Sequence, residues 1–283
     1  MKEEFAKCVA LYRDGLVNRR DLLKSIITLT GSYAAAHLLL ESSGLAARLI
    51  SQREAAAANV DADTVRYPSG QFQIEAYLVK PKNPGKHPAV IVIHENRGLN
   101  EHIRDVARRF ASEGFVALAP DLLSRAGGTA RMKTPDEATR AIDRMPPFES
   151  VEDLKAGFAF LEAIPDVDPQ HISSVGFCWG GWRSFMLATE IPALHEAVVF
   201  YGSTPGSGLQ KIQAPVLAHY AQLDHQITGN AIATEKTMKQ LGKKFTYYVY
   251  PNTSHAFFND TGDRYNPDAA KLAWARTLEF LRS

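Results

Sequence analysis

One cysteine lies in a short glycine-framed turn where a reactive side chain could be exposed. The stretch Gly176-Phe-Cys178-Trp-Gly180 follows apolar residues typical of a strand and precedes a sequence typical of a helix. This G-x-C-x-G spacing is that of a nucleophile elbow, with cysteine in place of the commoner serine. A nucleophile on such a strained turn needs small neighbours two residues before and after it, and glycine meets that need. The other interpretation of Cys178 is a buried structural cysteine in a glycine-rich turn.

Two further residues could complete the chemistry of a cysteine nucleophile. Asp224 and His255 each follow a predicted strand, and successive members of the set with Cys178 stand 46 and 31 positions apart. A thiol with a pKa of about 8.5 is mostly protonated at neutral pH, so it needs a histidine that accepts its proton. A carboxylate on the other ring nitrogen fixes the imidazole tautomer and stabilises its charged form. Singly, Asp224 could be a turn residue and His255 a loop residue, but the order nucleophile, acid, histidine predicts a catalytic triad.

Alternating strands and helices must position these residues. Because the two kinds of element alternate, we expect a mostly parallel sheet with helices on both faces and a site at the carboxyl ends of its strands. The alternating segment 72–79 predicts a half-buried strand at the sheet edge. Residues 121–148, rich in glycine and proline, predict a long excursion with at most one short helix. The remaining predicted strands are 89–94, 115–119, 172–175, 197–200, 215–220 and 245–250.

Composition narrows the class of protein. A length of 283 residues suffices for one large α/β domain, and a formal net charge of +1 disfavours a nucleic-acid partner. No uninterrupted apolar run reaches 18 residues, so we expect no membrane-spanning helix. The histidines outside the proposed site show no metal-ligand spacing, and no phosphate-binding or dinucleotide motif occurs, so we expect no metal and no cofactor. Two cysteines leave the redox compartment undetermined.

Residues 1–60 predict an N-terminal extension, separate from a main α/β domain at 64–283. Paired Arg19-Arg20, a mildly apolar run at 25–40 and alanines up to residue 58 are similar to a twin-arginine export signal, which implies a periplasmic protein. The helical composition of residues 3–50 equally favours an extension that packs on the main domain or on a second subunit, with the protein in the cytoplasm. Both interpretations stay open, and neither gives this segment a chemical role.

From about residue 64 onward, the chain resembles the dienelactone hydrolase family of α/β-hydrolases. The resemblance implies the α/β-hydrolase fold and hydrolysis of cyclic enol-lactones or small carboxylic esters by a cysteine nucleophile. The intermediate would be a thioester acyl-enzyme, and neither metal nor cofactor would be needed. The stretches that carry the resemblance are His94–Asn100, Ala119–Leu122, Gly176–Gly181, Asp224–His225 and His255–Phe257.

The resemblance also implies roles for the residues around the nucleophile. Glu95 matches a glutamate that holds the resting thiol and swings away when substrate binds; otherwise it would cap the following helix. The backbone N–H of Trp179 points at the place where negative charge would form, since it follows the nucleophile at a helix N-terminus. By the resemblance, the N–H of Asn96 would be the second donor of this oxyanion hole.

Fewer residues of this chain match those that the family uses to bind a substrate carboxylate. Arg125 falls where the family has one arginine for this group, although it could also be a solvated loop charge. The second such arginine would stand four residues after the histidine, where this chain has Asn259. Arg97 could take its place, and we also expect Tyr201, at the end of a predicted strand, to contact substrate.

Three functions remain compatible with these residues. The first is a cysteine-dependent hydrolase of small esters or lactones. The second is a non-catalytic binding protein that kept the fold, which the presence of Cys178, Asp224 and His255 disfavours. The third is a cysteine peptidase, which needs an extended peptide cleft. A monomer and a homodimer are equally compatible with the sequence.

Overall fold

The computed structural model describes residues 2–13, 19–30 and 60–283, and the chain divides into two compact units. In the first unit, Met1–Asn59, helices α1 (Lys2–Arg13) and α2 (Arg19–Thr30) pack against each other. Most of the predicted export signal, residues 31–59, lies outside the described residues, so both interpretations of this extension stay predictions. Among the helices that the structure describes, none is long and apolar enough to cross a membrane.

The second unit, Val60–Ser283, is built on one eight-stranded sheet. Its strand order is β1-β2-β4-β3-β5-β6-β7-β8; the β1–β2 and β2–β4 pairs are antiparallel and the other pairs are parallel. This arrangement confirms the predicted mostly parallel sheet. The strands are β1 (Val60–Ser69), β2 (Phe72–Pro81), β3 (His87–Ile93), β4 (Val116–Pro120), β5 (Val167–Phe177), β6 (Ala197–Phe200), β7 (Val216–Ala221) and β8 (Phe245–Tyr250).

Helices cover both faces of this sheet because alternate side chains of its central strands are apolar on both sides. In β3, Ala89, Ile91 and Ile93 lie in one apolar core, whereas Val90 and Val92 lie in the other. The first core is completed by α5 (Pro147–Glu162), α6 (Trp179–Glu190) and α8 (Ala231–Gln240), and the second by α3 (Glu101–Ser112) and α9 (Pro267–Phe280). The short helix α7 (His225–Thr228) follows β7.

The excursion between β4 and α5 agrees with its prediction. Before α5 begins, it contains one α-helix, α4 (Pro135–Asp143), and two single 3₁₀ turns at Ser124–Ala126 and Thr129–Arg131. Thr134 caps α4, because its side chain accepts a hydrogen bond from the backbone N–H of Glu137. This excursion holds Leu123, Ala138 and Ile142 in a small apolar cluster against the Trp179 ring.

The prediction of an edge strand at residues 72–79 is wrong. Strand β2 is the second strand of the sheet, because β1 pairs with it along its whole length, from Val60 opposite Pro81 to Ser69 opposite Phe72. Most side chains of β1 are exposed, so its sequence lacks the apolar alternation that indicates a strand. The compact unit accordingly begins at Val60 rather than at residue 64.

Candidate active site

Cys178 lies on the sharp turn between β5 and α6, with φ 57° and ψ −117°. A Cβ atom on Gly176 would lie 1.9 Å from the carbonyl oxygen of Gly180, and one on Gly180 would lie 2.4 Å from that of His94. Both positions must therefore be glycine for the turn to form, in agreement with the steric argument from the sequence. The turn holds the thiol at the N-terminus of α6, where unpaired N–H groups and the helix dipole favour negative charge.

Asp224 and His255 meet at the carboxyl ends of β7 and β8. The His255 Nδ1 lies 2.5 Å from the Asp224 Oδ2, and the two side chains are 25% and 12% exposed. An ionised carboxylate only accepts hydrogen bonds, so Nδ1 carries the proton and Nε2 of the neutral ring is left as a base. The arrangement therefore offers an oriented proton acceptor on the same side of the sheet as the thiol.

The thiol of Cys178 is held in its neutral form. Burial raises its pKa to about 11, helped next by the negative charge of Glu95 and then by that of Asp224. A hydrogen bond from the backbone N–H of Trp179 and the positive charge of Arg264 act in the opposite direction. Within residues 60–283, the thiol makes no hydrogen bond to His255, a contact that often tightens only when substrate is bound.

Glu95, in the loop after β3, is held by an amide rather than by the thiol. The Asn259 Nδ2 donates a hydrogen bond of 2.8 Å to Glu95 Oε2, and the buried carboxylate also interacts with the Tyr201 hydroxyl. The predicted hold of Glu95 on the resting thiol is therefore not a hydrogen bond here. Glu95 acts on Cys178 through its charge, and its role in catalysis stays a prediction.

Tyr201, directly after β6, is buried between these groups. Its ring lies 5.0 Å from that of His255, and its buried hydroxyl interacts with the Glu95 carboxylate. Burial raises the pKa of Tyr201, and the charges of Glu95 and Cys178 and hydrogen bonding to Glu95 raise it further. A buried hydroxyl beside a carboxylate and within electrostatic reach of the nucleophile indicates that Tyr201 belongs to the candidate site.

Backbone strain is concentrated around these side chains. In the described part of the chain, the non-glycine residues with positive φ are Cys178, Tyr201, Asn252 and Ala256, of which Ala256 follows His255 directly. Such conformations cost on the order of 1–3 kcal/mol each and persist only where the surroundings enforce them. Three of the four positions thus adjoin or belong to one cluster of titratable groups, which indicates a functional site.

The predicted second oxyanion donor, Asn96, lies in the loop after β3. Its carbonyl oxygen accepts a hydrogen bond from the Thr139 hydroxyl of α4 at 3.0 Å. Its own backbone N–H has no acceptor among residues 60–283, so it is available to a ligand. The assignment of Asn96 and Trp179 as oxyanion donors stays a prediction.

Arg125 is engaged by acidic residues of α5. Its Nε and Nη2 donate to the Asp153 carboxylate at 3.0 and 2.8 Å, and Nη2 also lies 3.5 Å from Glu152. This pairing makes Arg125 part of the contact between the excursion and α5. Because Asp153 already neutralises this guanidinium, a substrate carboxylate would have to compete with Asp153 for it. The contact of Arg125 with a substrate carboxylate stays a prediction.

Two other arginines are better placed to meet an anion. Arg97, in the Glu95 loop, is exposed and has no ion-pair partner in the described residues. Arg264 is also exposed, and its charge acts on both Cys178 and Tyr201. Arg264 was not predicted from the sequence, because the family resemblance points only to the position four residues after His255. A 2.9 Å backbone hydrogen bond between Asn266 and Phe257 closes the loop that contains Arg264 and brings it back towards the site. Among the described residues, no group of three or more histidine, cysteine or acidic side chains is placed to hold a metal ion.

Comparison with known proteins agrees with this geometry. A sequence profile of the dienelactone hydrolase family matches residues 74–283. A protein of Synechocystis, provisionally named carboxymethylenebutenolidase, is 33% identical over 235 residues, which cover 77% of this chain and 95% of the relative. A protein of Saccharolobus solfataricus with the same provisional name is 33% identical over 250 residues, and the match covers 96% of that protein.

A solved structure shows the same fold. The structure provisionally described as a dienelactone hydrolase from Klebsiella pneumoniae superposes with a TM-score of 0.73 and 29% identity, covering 79% of this chain and 99% of the other. This likeness confirms the α/β-hydrolase fold. With the matched profile and relatives, it identifies the chain as a hydrolase of esters or lactones that belongs to the dienelactone hydrolase family.

Proposed function

We propose that this protein hydrolyses small carboxylic esters or lactones through Cys178, His255 and Asp224, with a thioester intermediate. The observation that carries the proposal is the 2.5 Å contact between His255 Nδ1 and Asp224 Oδ2, next to a cysteine on a strained turn at a helix N-terminus. A nucleophile, a base and a group that orients the base are the parts that covalent catalysis requires.

Acylation begins with transfer of the thiol proton to His255 Nε2, because Asp224 holds Nδ1 protonated. The thiolate attacks the carbonyl carbon of the substrate and forms a tetrahedral intermediate with a negatively charged oxygen. Collapse of this intermediate breaks the bond to the alkoxy oxygen, which takes the proton from His255 as it leaves. In a lactone the leaving oxygen remains tethered to the acyl group, so the thioester carries the free alcohol or enol.

Deacylation repeats these steps with water as the nucleophile. His255 Nε2 accepts a proton from water, and the resulting hydroxide attacks the thioester carbonyl carbon. The carbon–sulfur bond then breaks, and the thiolate of Cys178 recovers its proton from the imidazolium. The products are a carboxylic acid and an alcohol, and no cofactor is consumed.

Stabilisation of the oxyanion falls to two backbone N–H groups, those of Trp179 and Asn96. The Trp179 N–H opens α6 beside the thiol, and the Asn96 N–H has no acceptor in the described part of the chain. Fixed donors of this kind contribute on the order of 10²–10³ in kcat each. The free N–H of Asn96 supports an acyl-transfer reaction over a site that only binds a ligand.

Substrate recognition in this proposal uses exposed cations at the rim rather than the predicted arginine clamp. Arg125 is engaged by Asp153, and Asn259 stands where the family resemblance places a second arginine. Arg97 and Arg264 remain as exposed cations, and an ion pair at an exposed position contributes only about 0–1 kcal/mol. We therefore expect comparable kcat/KM for neutral short-chain esters and anionic lactones.

A screen of aryl esters and lactones tests the proposal. We expect hydrolysis by the full chain, loss of at least about 10³-fold in kcat in Cys178→Ala, and unchanged activity in the matched variant Cys8→Ala. Mass spectrometry of rapidly quenched reactions should show the acyl group on the peptide that contains Cys178. Near-normal hydrolysis by Cys178→Ala would refute the mechanism, and stoichiometric binding without turnover would favour the binding protein instead.

A further inference from the structure

Arg183, one turn after Trp179 in α6, is a buried arginine without an acidic partner. Its side chain is 1% exposed, and among residues 60–283 no carboxylate lies within ion-pair distance of it. Its Nε donates to the Ser150 hydroxyl of α5 at 2.6 Å, and its Nη1 lies 4.0 Å from the sulfur of Met186. Burial lowers the pKa of Arg183 to about 10, as expected for a guanidinium removed from water without a counter-charge. Such burial is costly, so another interaction must offset it.

Aromatic rings supply that interaction. The central carbon of the Arg183 guanidinium lies 4.3 Å from the ring centre of Trp179 and 4.0 Å from that of Trp182. The Trp179 ring also stacks on His94, with ring centres 5.6 Å apart and planes 10° apart. We call these four residues, His94, Trp179, Arg183 and Trp182, the aromatic stack. A guanidinium over an indole ring is attracted by the negative face of the ring, and the attraction is stronger when the cation is removed from water.

The far end of the aromatic stack is fixed to the loop after β3. The His94 Nδ1 lies 2.6 Å from the carbonyl oxygen of Glu95, and its Nε2 lies 3.2 Å from the backbone N–H of Leu122. Because the N–H of Leu122 must donate, Nε2 is the acceptor and Nδ1 carries the proton. This pair of bonds fixes both the tautomer and the ring plane of His94, two residues before Asn96.

The aromatic stack thus joins the two chain segments that carry the oxyanion donors. Trp179 supplies one N–H from the start of α6, and Asn96 supplies the other from the loop after His94. Cys178 has a strained backbone conformation, which persists only where the surroundings enforce it, and the packed Trp179 side chain is part of those surroundings. A displacement of about 1 Å at such a donor can cost on the order of 10²-fold in rate.

We infer that Arg183 is a positioning residue for the proposed hydrolysis, which fixes the two oxyanion N–H groups relative to each other through Trp179 and His94. The inference rests on the proposed function of this site. Arg183, a buried cation about one helical turn from the nucleophile, then stabilises the transition state and does not change the ionisation of the thiol. The leading charges that shift the pKa of Cys178 are those of Glu95, Asp224 and Arg264.

Two reactions of Cys178 separate these effects. Ester hydrolysis needs the thiolate and the oxyanion hole, whereas alkylation by iodoacetamide needs the thiolate alone because no carbonyl oxygen becomes charged. In Arg183→Met we expect kcat for an aryl ester to fall about 10–100-fold, with KM and the alkylation rate of Cys178 within twofold of wild type. The matched control is Arg276→Met, which removes a guanidinium 3.7 Å from the Tyr248 ring and should leave kcat unchanged.

The outcomes that overturn the inference are distinct. A fall in alkylation that parallels the fall in kcat would mean that Arg183 acts on the thiol, and wild-type kcat in folded Arg183→Met would leave it a purely structural residue. If Arg183→Met does not fold, Arg183→Lys keeps the charge and removes the planar contact; we expect the same separation of rates, and wild-type kcat would refute it. Should wild-type protein hydrolyse no ester or lactone, the proposed function fails and this inference with it; an active wild type with a negative Arg183 result refutes the inference alone.

Discussion

The charge of Glu95 should control how readily Cys178 ionises, and Glu95→Gln tests this directly. Glutamine has the same shape, and its carbonyl oxygen can still accept the hydrogen bond from Asn259 Nδ2 that holds Glu95 Oε2 at 2.8 Å. The substitution therefore removes the negative charge and leaves the packing of this buried position intact. Because a nearby anion opposes formation of a thiolate, we expect the pKa of Cys178 to fall.

The size of the effect follows from the causes of the shift. The pKa of Cys178 rises from 9.0 to about 11, burial being the largest cause and Glu95 the second. Removal of the Glu95 charge should lower this pKa by about one, which raises the ionised fraction of the thiol about tenfold. At pH 7.5, a thiol of pKa about 11 is ionised in about one molecule in three thousand. Glu95→Gln should raise this population, and the alkylation rate with it, about tenfold.

Alkylation by iodoacetamide from pH 6 to 10 measures this pKa. The assay uses a Cys8→Ala background, so that every alkylated protein carries the label on Cys178. Glu75→Gln is the matched control, since Glu75 is a partly buried acid of β2 that pairs with Arg66 at 3.1 Å. It should leave the alkylation profile unchanged. An unchanged profile in Glu95→Gln, or one displaced to higher pH, would contradict the electrostatic role of Glu95.

Three further predictions concern other parts of the same domain. Asp224→Asn should retain the fold, as judged by thermal unfolding, and lose up to about 10⁴-fold in kcat because the imidazole loses its orienting carboxylate; a loss below tenfold would refute its role. Burial, and then the charge of Arg276, lower the pKa of His219 to about 3. The neutral imidazole therefore stabilises the fold fully above pH 6.5, and the free energy of unfolding should decrease by about 1.4 kcal/mol per pH unit as the pH falls from 6.5 towards 3. Urea unfolding at pH 7.5 and 4.5 should show a smaller pH effect in His219→Gln than in wild type, and an equal effect would exclude this origin. Arg264→Ala should raise KM for an anionic lactone several-fold and leave KM for a neutral ester unchanged, and equal changes for both substrates would contradict an anion-binding role.

The parts of the fold that could be predicted are those that local pattern decides. Strand β3 is apolar on both of its faces, and such a run is visible in one short stretch of sequence. Cys178, Asp224 and His255 follow β5, β7 and β8, which implied that they would share one edge of a parallel sheet. Strand β1 was not predicted, because backbone pairing with β2 holds it in the sheet. Its side chains are mostly exposed and give little sequence signal.

The parts of the site that could not be predicted depend on contacts between distant residues. Arg125 matched a substrate-binding position in sequence, but its guanidinium meets Asp153, 28 residues away, and no local pattern signals that pair. Arg183 resembles any arginine of a helix until its burial and the lack of an acid near it are known. Arg264 returns to the site only because its loop closes on Phe257.

Asn259 connects substrate recognition with the state of the nucleophile. The family resemblance places an arginine here, and an arginine beside Glu95 would neutralise its charge as well as bind a substrate carboxylate. An asparagine amide satisfies one oxygen of Glu95 and leaves the charge in place, so the carboxylate exerts its full effect on Cys178. A thiol kept neutral in this way resists oxidation and alkylation, because both reactions need the thiolate. With asparagine at position 259 we therefore expect a well-protected resting thiol and weak binding of anionic substrates.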